Sequence, residues 1–221
     1  RLAQGLRESR TRIVGVILND VKNPFYAEIY GVIEDVLNRR DYTMLLCDSN
    51  FDPELERKNI LAMLSHGVDG LIIAAVDEES PNLNLILSHS VPTVVIDCKP
   101  KNPEISYVYS NHEQAAVLAM SHLIRMGHRS ILLLNGPQNV SSSAHFDAGY
   151  RTALIDHGVP IRDELIINTR LTPDRADEIM RSILTGEFES GGVRLGQDDF
   201  TAVVTLSDLL ALGVYKAVRR A

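Results

Sequence analysis

The chain has 221 residues, a length that suits one large domain or two smaller ones. Hydrophobic residues make up 45% of the chain and charged residues 23%, which excludes a disordered, collagen-like or coiled-coil protein. The net charge is −7, yet the first twelve residues carry four arginines against one glutamate, so a basic arm precedes an acidic body.

Strand-like apolar runs alternate with amphipathic helical stretches, an order that predicts parallel sheets with crossover helices and therefore an α/β fold. No apolar run approaches the ~18–20 residues that a membrane-spanning helix needs. The predicted strands cover residues 13–18, 42–47, 70–76, 92–97, 106–111, 130–135, 164–169 and 201–206. The predicted helices cover residues 24–40, 53–66, 81–89, 112–126, 146–157, 173–184 and 208–220.

Two stretches are predicted to connect these elements. Residues 98–105 contain two prolines and few apolar side chains, so we expect a lobe boundary just beyond them. The predicted division is an arm at 1–12, an amino-terminal lobe at 13–105 and a carboxyl-terminal lobe at 106–221. Residues 186–200 are rich in glycine and charge, and we expect a long, mobile loop there. The sequence shows no secretory signal and no disulfide framework, which favours a reducing compartment.

Polar loops follow the predicted strands at their carboxyl ends, where doubly wound sheets bind ligands. Hydroxyls, amides and carboxylates beside an aromatic ring suit a small polyhydroxy or heteroaromatic ligand. The same residue types are also ordinary turn and helix-cap residues, so both interpretations stay open. The candidates of this kind, with Phe25 or Phe146 as the aromatic, are Asn19, Asp20, Lys22, Asn23, Asp48, Ser49, Asn50, Asp77, Asp97, Ser141, Ser142, Ser143, Ser207 and Asp208.

The sequence offers no recognisable catalytic constellation. It contains no G-x-S-x-G nucleophile elbow, no dinucleotide-binding glycine fingerprint and no phosphate-binding loop. Its seven histidines and two cysteines lack the spacing of zinc ligands. We therefore expect no enzymatic activity, no metal and no cofactor.

The amino-terminal arm, RLAQGLR, has two interpretations. It could be a frayed tail whose arginines are solvated. It could instead be a short helix that orders on DNA, with arginines on phosphates and Leu6 as an apolar wedge in the minor groove. The residues alone do not choose between these two.

Several segments together resemble the LacI/GalR family of bacterial transcriptional regulators: IVGVILNDVKNPF, VDGLII, GHR and SDLLALG. The resemblance implies a two-lobed, periplasmic-binding-protein-like fold, each lobe a doubly wound parallel sheet flanked by helices. It also implies a cytoplasmic homodimer in which an effector bound between the lobes controls operator binding allosterically. The resemblance further implies a helix-turn-helix before residue 1 and further strands after residue 221. Arg1, Leu6 and Arg7 match the end of the family's hinge helix.

The resemblance also assigns effector contacts. Phe146 stands where many members have an arginine, and Ser207 replaces an asparagine, so a neutral effector such as a sugar is expected. A periplasmic sugar-binding protein and a small sugar-modifying enzyme are the alternatives. The residues that match effector-contacting positions are Asp20, Asn23 and Phe25 in the first loop, Ser142 and Phe146 in the sixth, and Thr205, Ser207 and Asp208 at the last strand end; Asp77 is added from its own strand end.

Overall fold

The computed structural model describes residues 10–220, which form parallel sheets flanked by helices, so the expected fold class is confirmed. The chain divides into two compact units, unit 1 up to Ser110 and unit 2 from Asn111. The strands are β1 Ile13–Leu18, β2 Thr43–Asp48, β3 Gly70–Ala74, β4 Thr93–Ile96, β5 Ser106–Val108, β6 Ile131–Asn135, β7 Ile166–Asn168, β8 Phe188–Ser190, β9 Val193–Leu195 and β10 Ala202–Thr205. The helices are α1 Pro24–Asn38, α2 Pro53–Ser65, α3 Pro81–Ser88, α4 His112–Arg125, α5 Ser141–Asp156, α6 Pro173–Leu184 and α7 Asp208–Val218.

Unit 1 is a five-stranded parallel sheet in the order β2-β1-β3-β4-β5. Val16 and Leu18 of β1 pack with Tyr26 of α1 on one face, whereas Ile17 packs with Ile60 of α2 on the other. This alternation places helices on both faces of the sheet. The order of strands reverses between β1 and β3, and loops at such a point form the ligand site in doubly wound folds.

Each helix of unit 1 begins with the same two-residue pattern. A polar residue caps the helix and a proline occupies the first helical position, as the fixed φ of proline allows. The strand-end loops are therefore short and end at defined points. The capping residues are Asn23, Asp52 and Ser80.

β5 belongs to unit 1 because it pairs in parallel with β4, from Val94 opposite Ser106 to Ile96 opposite Val108. The predicted division at 105/106 assigned this strand to the second lobe. The boundary between the two units lies after Ser110 instead. A pairing between distant residues decides the assignment, and no local pattern in a three-residue strand carries that information.

Unit 2 contains a three-stranded parallel sheet in the order β10-β6-β7. β6 is buried along its whole length; Leu133 packs with α4 and α5, and Leu134 packs with α6 and α7. Each helix pair meets at a glycine. A Cβ at Gly149 would collide with the carbonyl of Glu113, and one at Gly213 would collide with the carbonyl of Pro173.

Two segments of unit 2 differ from the sequence-based expectation. α5 begins at Ser141, five residues before the predicted start, because the Asn135 amide donates to the Ser143 carbonyl (2.9 Å) and holds the first turn. Residues 186–200 contain the antiparallel hairpin β8–β9 instead of a long loop. Gly191 and Gly192 form its turn with φ values of 57° and 78°, the left-handed conformation that two-residue hairpin loops require.

The predicted hinge contacts Arg1, Leu6 and Arg7 lie outside the described residues. From residue 10 to residue 220, no helix has the length and apolar character needed to cross a bilayer. Cys47 and Cys98 form no disulfide with each other, and no group of three or more potential ligands in the described range is arranged to hold a metal ion.

Candidate functional site

The loop after β1 carries three of the predicted contact residues. The Asn23 side chain caps α1 by accepting a hydrogen bond from the Phe25 N–H (3.1 Å). The Asp20 carboxylate accepts from the Lys22 N–H (3.0 Å), so both polar residues shape the turn. Phe25 is 46% exposed and packs edge-to-face against Tyr26, with ring centroids 5.1 Å apart. The loop therefore presents an open aromatic face beside two polar side chains.

A buried hydrogen-bond network lies under this loop; three of its residues were among the polar strand-end candidates, and Tyr26 was not predicted. The Tyr26 hydroxyl donates to Asp97 Oδ2 (2.9 Å) and accepts from Asn19 Nδ2 (3.4 Å). The Ser49 hydroxyl donates to Asn19 Oδ1 (2.8 Å). Burial, and then the negative charge of Asp97, raise the pKa of Tyr26 well above its ordinary value. The network ties together the carboxyl ends of β1, β2 and β4.

Asp77 is exposed in the loop after β3, where its carboxylate accepts from the Glu79 N–H (3.1 Å). The fully buried carboxylate of Glu56 holds this loop from below. It accepts from the Val76 N–H (2.9 Å), the Ser80 hydroxyl (3.0 Å) and the Asn82 amide (2.9 Å). Sequence reasoning missed Glu56, although the signal was present: Glu56 shares the helical spacing of the buried residues of α2.

Phe146 differs from the expectation that it would stack on an effector. Its side chain is only 5% exposed and belongs to the core cluster of unit 2, which also contains Met120 and Leu133. The early start of α5 explains the difference, since it places Phe146 on the inward face of the helix together with Tyr150 one turn later. Ser142, in the first turn, is half-buried at the strand-end edge.

Two buried polar atoms beside Ser142 lack partners. Asn135 Oδ1 and Ser143 Oγ make no hydrogen bond within the described part of the chain, although both side chains are at most 1% exposed. Gly136 lies against them, and a Cβ there would collide with Ser143 Oγ. An unpaired buried polar atom costs about 1–3 kcal/mol, so this end of β6 is less well satisfied than the corresponding edge of unit 1.

The last strand end brings together the remaining three predicted residues. The Thr205 hydroxyl donates to the Ser207 carbonyl (3.0 Å), and the Ser207 side chain caps α7 by accepting from the Leu210 N–H (3.4 Å). The Asp208 carboxylate is exposed in the first turn, where the helix dipole favours a negative charge. Turn and cap hydrogen bonds thus hold Thr205 and Ser207 at the edge of the sheet, and Asp208 follows them in the first turn of α7.

In each unit, the carboxyl edge of the sheet offers exposed carboxylates and half-buried hydroxyl or amide groups held by helix caps. Such groups are hydrogen-bond partners for the hydroxyls of a polar small molecule. Capping and ligand contact are compatible, since a carboxylate or hydroxyl oxygen accepts more than one hydrogen bond.

Comparisons with known proteins found a matching family and similar relatives. Residues 11–221 match the family model described as periplasmic binding proteins and sugar binding domain of the LacI family. The chain is 30% identical over 199 residues to catabolite control protein A of Priestia megaterium, covering 90% of this chain and 60% of that protein. It is 26% identical over 221 residues to the ribose operon repressor of Escherichia coli K12, covering 100% of this chain and 64% of that repressor.

A solved structure of a related protein is similar to this chain along most of its length. A LacI family transcriptional regulator from Enterococcus faecium with bound ribose superposes with a TM-score of 0.75 at 26% identity, covering 94% of this chain and 72% of that one. The chain spans about three fifths of the length of the curated relatives that it matches.

Proposed function

Because this chain belongs to the LacI family, whose sugar-binding domain matches residues 11–221, we propose that it is the effector-binding and dimerisation core of a bacterial transcription regulator. The resemblance seen in the sequence and the expected periplasmic-binding-protein-like fold class are confirmed by the family match. The observation that carries the proposal is the set of capped, polar strand-end loops in a chain that matches this family along nearly its whole length.

The proposed ligand is a neutral sugar. Asp77 and Asp208 are exposed carboxylates that can accept hydrogen bonds from sugar hydroxyls, and Phe25 presents a ring on which a sugar can stack. Asp20, Asn23, Ser142, Thr205 and Ser207 complete the proposed set of contacts. Phe146 is left out because it lies in the core.

The proposed regulation is allosteric. Operator DNA would be bound through a helix-turn-helix and a hinge that includes Arg1, Leu6 and Arg7, in a protein that works in the cytoplasm. A sugar changes operator affinity only if it binds one conformation of the regulator more tightly than the other. The regulators among the relatives favour this function over a periplasmic sugar-binding protein of a transport system, and also over a sugar-modifying enzyme.

Dimerisation is proposed through exposed apolar helix faces. Val32 and Val36 of α1 are one turn apart and exposed, Val32 at 66%. Leu212 and Tyr215 of α7 are likewise one turn apart, and Tyr215 is 69% exposed. Apolar faces of this kind on a soluble domain mark contact surfaces, and we assign them to a second copy of the chain.

Sedimentation velocity tests the dimer. Leu212→Asp should convert the dimer to a monomer, because it buries a charge in an apolar interface. Leu118→Asp is the matched control, since Leu118 of α4 is 61% exposed and is not assigned to the interface, so this variant should stay dimeric. A dimer in both variants would contradict the assignment of α7.

Isothermal titration calorimetry tests the ligand. A panel of ribose, sucrose, glucose and ribose 5-phosphate should include a neutral sugar that binds with one site per chain. NMR of the ligand after incubation should return it unchanged, because no chemistry is proposed. A neutral effector would be contradicted if ribose 5-phosphate bound more tightly than ribose and Asp208→Asn weakened that binding, which would place the phosphorylated sugar at the proposed site.

A further inference from the structure

A pocket of about 520 Å³ lies in unit 2 beside β7 and shares no residue with the proposed effector contacts. β7 lies at one side of the three-stranded sheet, next to β6, so its other side is free of strand pairing within the described chain. Ser190, the last residue of β8, also lines this pocket. A proline and two isoleucines supply the apolar part of the wall, and the polar part is formed by Gln138, Asn168, Thr169, Arg170 and Ser190.

The backbone of β7 turns a hydrogen-bond donor toward this pocket. The Thr169 N–H donates to the Asn135 carbonyl of β6 (3.0 Å). Because successive residues of a strand direct their amides to opposite sides, the N–H of Asn168 is directed away from β6, toward the free edge. Asn168 lines the pocket together with Gln138 and Ser190, whose side chains also carry N–H and O–H donors.

The residues that line the pocket carry a positive charge and no negative charge. Arg170 is exposed and forms no ion pair within residues 10–220, so no neighbouring carboxylate neutralises its charge. None of the residues that line the pocket is acidic. A guanidinium with several N–H and O–H donors nearby is the arrangement that recognises phosphate or carboxylate groups.

We propose that the pocket beside β7 binds the oxyanion of a small phosphorylated or carboxylated molecule, with Arg170 as its charged contact. This site goes beyond the proposed sugar effector and does not depend on it. The Gln138, Asn168 and Ser190 donors orient the anion, and the apolar wall accommodates the carbon skeleton that carries it.

The test is an NMR titration of the ¹⁵N-labelled chain with sodium phosphate and, separately, with sodium acetate, at ionic strength held constant with sodium chloride. Saturable amide shifts should occur at residues 138, 166–170 and 190 with at least one of the two anions, and the anion that binds identifies the source of the oxyanion. Arg170→Gln should weaken that binding by about 10-fold, the effect of losing one charged hydrogen bond.

Two further variants separate a specific site from general charge attraction. Arg40→Gln removes the same charge from an exposed position in unit 1 and should leave the affinity within about 2-fold. Arg170→Lys keeps the charge and should retain more of the binding than Arg170→Gln, although the planar fork is lost. A well-dispersed spectrum of each variant checks that it is folded.

Three results would overturn the inference: no saturable shift with either anion, shifts confined to other residues, or equal weakening in Arg40→Gln and Arg170→Gln. A failed anion titration beside a successful sugar titration would overturn this site alone and leave the effector proposal standing.

Discussion

The carboxyl edges of the two sheets satisfy their buried polar groups to different degrees. In unit 1, Ser49, Asn19, Tyr26 and Asp97 hydrogen-bond one another, and the buried Glu56 carboxylate accepts three hydrogen bonds. In unit 2, Asn135 Oδ1 and Ser143 Oγ are buried without partners in the described chain.

The two units also rely on different stabilising contacts. The strand-end loops of unit 1 are fixed by hydrogen bonds between side chains that are distant in sequence. Unit 2 depends more on close helix packing at Gly149 and Gly213. We infer that the edge of unit 1 is preorganised, whereas the edge of unit 2 retains polar groups whose hydrogen-bonding capacity is not used.

The largest expected effect is the loss of Glu56. Glu56→Ala leaves the Val76 N–H, the Ser80 hydroxyl and one Asn82 donor without this acceptor, and should lower the free energy of unfolding by about 4 kcal/mol. Urea denaturation measures the change. Glu54→Ala, at an exposed position of the same helix, should cost less than about 1 kcal/mol. Similar losses in both variants would show that the network does not stabilise unit 1.

The helix packing of unit 2 should respond next most strongly. Gly213→Ala forces a methyl group against the Pro173 carbonyl and within 2.5 Å of Ala176 Cβ, and should destabilise the protein by about 2–3 kcal/mol. Gly31→Ala in α1 meets no atom within 4 Å and should stabilise the protein by up to about 1 kcal/mol. Thermal unfolding of both variants checks the opposite signs. A stabilising Gly213→Ala would contradict the close approach of α6 and α7.

A matched pair of serines compares the two edges directly. Ser49 and Ser143 are both fully buried, but only the Ser49 hydroxyl has a partner in the described chain. Ser49→Ala should therefore lower the free energy of unfolding by about 1–2 kcal/mol, while Ser143→Ala should be neutral or stabilising by about 1 kcal/mol. If chemical denaturation showed equal destabilisation by Ser49→Ala and Ser143→Ala, the two sheet edges would not differ in how well their buried polar groups are satisfied.

The smallest effect concerns the start of β1. The Asp69 carboxylate accepts from the N–H groups of Thr11 and Arg12 (both 2.9 Å) and from the Thr11 hydroxyl (3.0 Å). Partial burial raises the pKa of Asp69, but these hydrogen bonds lower it by more, so the net shift is downward. Asp69→Asn should cost about 1 kcal/mol at pH 7.

The pH dependence of this contribution follows from the sign of the shift. Because the pKa of Asp69 is lower in the folded state, its stabilisation is present above the unfolded pKa of about 3.9 and is lost as the pH falls through the folded pKa. The difference between the natural chain and Asp69→Asn should therefore shrink below about pH 4. A difference that stays constant from pH 7 to pH 2.5 would contradict the role of the charge.

Local patterns predicted most of the secondary structure, because strand runs are strongly apolar and four helices begin with proline after a polar cap. The start of α5 depends on a side-chain contact between Asn135 and Ser143, eight positions apart. β5, β8 and β9 are each three residues long, too short for an alternating pattern to be recognised.

The candidate site shows the same limit. The positions of Asn23, Ser207 and Asp208 at strand ends were predictable, because strand ends and helix caps have local signals. The core position of Phe146 was not predictable from local patterns, because its burial depends on where α5 begins. The helical spacing of Glu56 indicates its burial, but its role could not be predicted because its partners at residues 76, 80 and 82 lie at least 20 positions away.

Ligand affinity in two carboxylate variants tests the central claim most directly. With the sugar that the calorimetric panel identifies, Asp77→Asn in unit 1 and Asp208→Asn in unit 2 should each weaken binding by about 10-fold, because each removes a charged hydrogen-bond acceptor. Asp156→Asn, an exposed substitution at the end of α5, should leave the affinity unchanged. If all three variants bound the sugar as tightly as the unsubstituted chain does, an effector site built from the strand-end loops would be contradicted.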